Sequence, residues 1–289
     1  MKCQDDILAR VGELSPLPGT VVRLIDVIND PGSTAQDIVA VVKYDQAATV
    51  QMLRMCNSAH FGLSRTVSSL DEAICYLGTV KVLQLLMAVH GNALLAKRQR
   101  GYGLEPEMLW KHSVAVALAA SALSQSVNLA NGSLAFTAGL LHDIGKVVLN
   151  EYVAEEFSEI ARIVTERDIS FSEAERLILG YSHEDIGGKV AEKWKLPAAL
   201  VRCIRYHHDP SLLEPADPLV DMVYVADCVC LLVGIGLGKD ELYYRADPAV
   251  MERNDLHETD LESAGATMMN ELKRVEEMFA STPTPSRDR

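Results

Sequence analysis

Apolar side chains in this chain recur at i, i+3 and i+4 and almost nowhere in alternation, which commits it to packed helices and leaves no convincing strand. Start and stop signals separate the stripes. Leu14-Ser15-Pro16-Leu17-Pro18 restricts the backbone ahead of a helix with Val22, Ile25 and Ile28 on one face, which should stop near Asn29-Asp30-Pro31-Gly32. A second helix is expected to open at a capping box, Ser33-x-x-Gln36, and run through Ile38, Val41 and Val42. Asp45 caps a third, with Val50, Leu53 and Met55 apolar. Ser69-x-x-Glu72 opens a fourth that Gly78 closes, and Thr79 to Lys97 forms a fifth. Short helices with one apolar stripe each suit a compact bundle.

Arg98 to Pro106 is polar and glycine-rich, and marks the best boundary between two halves of the 289-residue chain. The expected organisation is all-α: an N-terminal multi-helix bundle over residues 1–100 packed on a second helical domain over 101–280, with a disordered Pro/Ser/Thr-rich tail at 281–289. The second half opens with a very apolar helix, Glu107 to about Val127, in which His112 shares a face with Leu109, Val116, Ala119 and Leu123. His142-Asp143 then stands at the end of the apolar run Ala138-Gly139-Leu140-Leu141 and is followed by Lys146. A neutral imidazole beside an ionised carboxylate is costly to bury unless a metal ion or a hydrogen-bond network uses their lone pairs.

Further along, Ser182-x-x-Asp185 resembles a capping box that places His183 in the first turn of a helix. Leu196-Pro197 restarts the chain, and the stripe of Leu200 and Ile204 continues into His207 and His208 before Asp209-Pro210 stops it. Asp217-Pro218 opens the next helix, whose apolar face (Val220, Val223, Tyr224, Cys230, Leu231) also carries Asp227. A carboxylate there needs a cation. Asp221, one turn into the helix, is expected to be exposed. The stretch from Lys239 to Asp255 is polar and mixed, and Thr259-x-x-Glu262 begins a last amphipathic helix through Phe279.

The formal charge of −13, with no basic block beyond Lys97-Arg98-Gln99-Arg100, argues against a nucleic-acid partner. The N-terminal residues lack an apolar signal core, and the most hydrophobic stretch, Val220 to Gly238, is interrupted by Asp221 and Asp227, so neither membrane insertion nor export is expected. A cytoplasmic setting follows. The six cysteines show no metal-binding or redox spacing and read as reduced thiols. His60 and His90 have no carboxylate or second histidine beside them and read as ordinary structural or surface residues.

What remains is a constellation of His112, His142, Asp143, His183, His207, His208 and Asp227, contributed by several helices, in the way helical bundles build metal sites. Imidazole and carboxylate without thiolate suit Fe, Mn, Zn, Ni or Co. The donors suffice for one ion or two, with Asp143 as the natural bridge. Two ions would place a hydroxide for in-line attack on phosphorus, and Lys146 could meet a phosphate oxygen; if the chain is an enzyme, Asp143 and Lys146 are its candidate catalytic residues.

His112, His142-Asp143 and Asp227 together resemble the ligand series of the HD superfamily of metal-dependent phosphohydrolases. The nearer resemblance is to the HDOD family, the HD-related output domain of bacterial signalling proteins. Leu53-Arg54-Met55-Cys56-Asn57-Ser58-Ala59 and Ala73-Ile74-Cys75-Tyr76-Leu77-Gly78 carry it in the first half. Gly139 to Lys146, His183-Glu184-Asp185-Ile186-Gly187, Trp194-Lys195-Leu196-Pro197, Ile204 to Pro210 and Val225-Ala226-Asp227 carry it in the second. That resemblance implies a regulatory module of bacterial signal transduction that acts on a signalling protein partner or a small phosphorylated ligand. The full histidine series is also similar to that of the HD-GYP phosphodiesterases, which implies the alternative of a phosphohydrolase acting on a nucleotide or cyclic dinucleotide. Those enzymes follow the double histidine with a Gly-Tyr-Pro loop; here Asp209-Pro210-Ser211 stands instead.

Overall fold

The computed structural model describes residues 19–30, 32–43, 46–57, 66–95, 97–129, 134–235 and 246–280. Among them the regular structure is helical, with no strand and one isolated bridge, between Gln99 and Leu104. The first half contributes α1 (Gly19–Asn29), α2 (Ala35–Val42), α3 (Gln46–Cys56) and α4 (Leu70–Leu95). α1 buries Val21, Leu24 and Ile25, and α2 buries Ile38 and Val42. The cap of α2 is Thr34 rather than Ser33. Asp37 accepts from both the Thr34 amide, at 2.8 Å, and its hydroxyl, at 2.7 Å, so the carboxylate three residues on selects the cap.

In α3 the buried face is Met52, Met55 and Cys56, turned onto α4, while Val50 of the expected apolar set is exposed. α4 comprises the two helical segments expected there, joined across a kink at Gly78, which is non-helical at φ 74 and ψ 164. The expected Asp45 cap, the Leu14–Pro18 segment, His60 and the 281–289 tail lie outside the described residues.

A 3-10 turn, Arg100–Tyr102, follows, and its Gly101 amide donates to Asn150 Oδ1 at 2.8 Å. The second half comprises α5 (Met108–Ser126), α6 (Ala135–Leu141), α7 (Ile144–Arg167), α8 (Phe171–Leu179), α9 (His183–Lys193), α10 (Ala198–Tyr206), α11 (Pro218–Leu232), α12 (Pro248–Arg253) and α13 (Glu258–Ala280). α5 is the axis, packed against α6, α11 and α13 and buried on nearly all sides, which is why its sequence is apolar all round. α7 packs on α8, α9 and the 3-10 turn, and α9 packs on α10. No described helix is long and apolar enough to cross a membrane.

Asp221 is buried, at 1% exposure, contrary to the expectation of an exposed carboxylate. The polar stretch after residue 245 folds back as α12, so that Arg253 clamps Asp221 through two nitrogens and Asn254 donates to it at 2.8 Å. Of the cysteines described, Cys56, Cys203, Cys228 and Cys230 are buried, Cys75 is exposed, and all are free thiols.

Candidate metal centre

His112 enters from the buried face of α5, with Leu109, Val116, Ala119 and Leu123 fully enclosed along the same stripe. α6 stops at Leu141 and α7 starts at Ile144, so His142 and Asp143 occupy a two-residue break between helices and project into the core. His183 is the first residue of α9, behind the Ser182 cap, whose hydroxyl and amide both bond Asp185 at 3.0 Å. His207 terminates α10 and His208 follows it. Asp227 faces inward from the middle of α11, whose capping Asp217 accepts from the Leu219 amide at 3.0 Å.

These residues converge. His112, His142 and Asp227 bring one ligand atom each to within 4.8 Å of the others, and so do Asp143, His183, His207 and His208. Asp143 lies between the two sets. Its Oδ2 is 3.4 Å from His142 Nε2 and 3.9 Å from His112 Nε2, while its Oδ1 is 3.3 Å from His183 Nε2 and 3.6 Å from His207 Nε2. His112 Nε2 stands 3.2 Å from Asp227 Oδ1, and His208 Nε2 stands 3.1 Å from His183 Nε2. Ligands about 2.1 Å from a common ion are themselves about 3.0–3.4 Å apart, so the spacing suits coordination. Every one of the seven is at most 4% exposed except His208, whose side chain is 11% exposed.

The orientation of the imidazoles is fixed from behind. Nδ1 of His112, His142 and His207 lies 2.9, 2.6 and 2.9 Å from the carbonyls of Ile235, Gly139 and Ile204, which makes Nδ1–H the donor and leaves Nε2 with its lone pair toward the cluster. His183 Nδ1 is 2.8 Å from Glu175 Oε2. The buried atoms His142 Nε2, His207 Nε2, Asp143 Oδ1 and Asp227 Oδ1 make no hydrogen bond among the described residues. Buried acceptors of this kind are costly unless something else occupies their lone pairs. The residues present therefore fit a divalent cation, and the all-N/O donor set does not choose among Fe, Mn, Zn, Ni and Co.

The charges of the metal-free cluster follow from the same contacts. Burial alone would raise the Asp143 and Asp227 carboxyls, but Lys146 and His142 around Asp143, and His112, His142 and His208 around Asp227, hold both below the ordinary carboxylate range. Burial disfavours a charged His183, yet Glu184 and Glu175 outweigh it and lift its pKa to about 9. His208 is pushed well down by burial and by the neighbouring His207 and His183. His183 Nδ1 faces Glu175 Oε2 at 2.8 Å and its Nε2 faces His208 Nε2 at 3.1 Å. Lys146, buried in the first turn of α7, donates to Asp143 Oδ2 at 2.8 Å and lies over the Tyr102 ring at 5.8 Å from its centroid.

Sequence reasoning passed over Glu175 and Glu184, both buried. Glu175 falls on the stripe Phe171, Ala174, Glu175, Ile178, a carboxylate on a core-facing line like Asp227, and that pattern was the available signal. Tyr102 donates its hydroxyl to Glu175 Oε1 at 2.5 Å, and Ser172 donates to Glu184 Oε1 at 2.6 Å. His90 lies on α4, and its side chain is outside the described set.

A family model for the HDOD domain matches residues 14–210. An uncharacterized protein of Treponema pallidum is 27% identical over 228 residues, 78% of this chain and 44% of that protein, so the chain spans less than half the length of this curated relative. Among solved structures, an HDOD domain protein of unknown function from Geobacter sulfurreducens superposes with a TM-score of 0.76 at 27% identity, covering 95% of this chain and 96% of that one. A Shewanella amazonensis structure, provisionally named a phosphohydrolase, shares the fold with a TM-score of 0.69 at 24% identity, covering 94% and 96%.

Proposed function

The chain belongs to the HDOD domain family, and from that premise we propose that it is a two-metal phosphohydrolase acting on a phosphate ester such as a nucleotide or cyclic dinucleotide. The observation that carries this reading is Asp143, whose two oxygens each face a separate set of imidazoles. Bound divalent ions would supply Lewis acidity toward a phosphoryl oxygen and acidify a coordinated water. His112, His142 and Asp227 would hold one ion and His183, His207 and His208 the other, with Asp143 shared. The chain's own residues do the rest. Backbone carbonyls hold three imidazoles in the tautomer that presents Nε2. The Lys146 ammonium keeps Asp143 ionised and is placed to turn toward a phosphate oxygen of the substrate.

The test is elemental analysis of the purified protein together with hydrolysis of bis(p-nitrophenyl) phosphate and cyclic dinucleotides, on wild type and Asp143→Ala. Metal and turnover lost together support the reading, and turnover that survives the loss of metal refutes it.

A second reading, a cytoplasmic regulator of bacterial signalling that works by binding a protein partner or a small phosphorylated ligand, is favoured by the enclosure of the ligands and by the first half of the chain. No group of metal-binding side chains is found among the described residues of α1 to α4, and these helices leave Val50 and Tyr76 exposed. In that case Asp143→Ala lowers thermal stability with no turnover to lose.

A further inference from the structure

The two sides of the centre differ in what stands behind their ligands. On the His112, His142 and Asp227 side, both imidazoles are backed by neutral carbonyls, those of Ile235 and Gly139. On the other side His183 is backed by charge. Its Nδ1 is 2.8 Å from Glu175 Oε2 and 3.4 Å from Glu184 Oε2, and its amide also donates to Glu175 at 2.8 Å. Both carboxylates are held in place, Glu175 by the Tyr102 hydroxyl and Glu184 by Ser172 and by Arg176 at 3.3 Å. Glu184 Oε2 is buried and makes no hydrogen bond among the described residues. Lys146 donates to Asp143 Oδ2, and although its charge also reaches His183, Glu184 and Glu175 outweigh it.

A carboxylate behind a ligating histidine fixes the ring and raises its basicity, and buried negative charge attracts a divalent ion strongly where water does not screen it. The side with His183, His207 and His208 also offers three imidazoles against two. We propose, building on the two-metal reading above, that the centre loads in order. The first ion enters the His183, His207 and His208 side, held by Glu175 and Glu184 as positioning residues, and the second enters the His112, His142 and Asp227 side only at higher metal concentration. Occupancy by one ion or two then follows metal supply.

Protein stripped with chelator is titrated with Mn²⁺ by calorimetry, and bound metal is counted by elemental analysis. Two phases are expected. Glu175→Gln should weaken the tighter phase about 10–100-fold and leave the looser one unchanged, which a merely structural role would not do. Asp227→Ala should abolish the looser phase alone. Glu184→Gln, checked like the others for helical content by circular dichroism, repeats the test if Glu175→Gln folds poorly. A single affinity for both ions, or a tight phase that both glutamine variants leave untouched, overturns ordered loading and leaves the two-metal reading standing. A wild-type protein that binds no metal overturns both.

Discussion

Replacing Gly145 by alanine would set a Cβ 1.9 Å from the carbonyl oxygen of His183 and 2.8 Å from the amide nitrogen of Gly187. The comfortable approach of carbon to a carbonyl oxygen is about 3.3 Å, so α7 and α9 must separate by about 1.4 Å at this point. Backbone blocks the new methyl, so no rotamer change relieves it. Overpacking of this kind costs roughly 1–3 kcal/mol. The separation also moves His183 away from Asp143, now 3.3 Å from it, whereas metal–ligand distances tolerate only about ±0.2 Å. Gly145→Ala should therefore lower the unfolding midpoint in urea and weaken the ion on the His183 side at least tenfold by calorimetry. Gly265→Ala serves as the contrast. Its Cβ would meet only Val229 and Val233 methyls, at 3.4 and 3.8 Å, and the change should stabilise α13 by about 0.5–1 kcal/mol. If Gly145→Ala keeps wild-type stability and metal affinity, the claim that the close approach of α7 and α9 positions His183 is wrong.

The folded His183 pKa of about 9 lies above its ordinary value of 6.5, so its stabilising charge is fully present below pH 6.5 and lost as pH rises through 9. Metal-free protein should lose roughly 3 kcal/mol of stability across that window, as read by urea unfolding at each pH, and metal-loaded protein should not. Ion binding should correspondingly release a proton from His183 and tighten with rising pH up to about 9, which calorimetry in buffers of different ionisation enthalpy measures. Arg253→Ala should destabilise the fold by roughly 2–3 kcal/mol, because it strands the buried Asp221 carboxylate with Asn254 as its remaining side-chain donor; a shift of less than 0.5 kcal/mol in a urea titration would dismiss the clamp.

Periodicity and capping identified several of the helices because both are local: the Ser182 and Asp217 caps and the apolar run through His112 are properties of a few adjacent residues. What depended on distant neighbours was harder to read. Val50 lies in an apolar sequence yet faces outward, because α4 covers the opposite face of α3. Asp221 and Asp227 are six residues apart on α11, both buried, and only the fold separates their roles. Asp221 meets the Arg253 guanidinium and the Asn254 amide that α12 brings back to it, and Asp227 meets histidines from α5 and from the segment after α10.

The centre obeys the same division. The residue types in the second half pointed to groups that could hold a cation, but a sequence does not say which oxygen of Asp143 points where. The break between α6 and α7 makes the choice. Because Asp143 has left the helix of His142 and caps the next one, at φ −95 and ψ 13, its carboxylate stands between both sets of imidazoles rather than along one helix face. Gly139 and Gly145 flank that break. The first leaves its carbonyl for His142 Nδ1, and the second lets α7 approach α9 closely enough for His183 to reach the shared carboxylate. The apolar run, the His-Asp pair and the glycine after it are thus one device, in which backbone geometry places a single carboxylate between two sets of imidazoles.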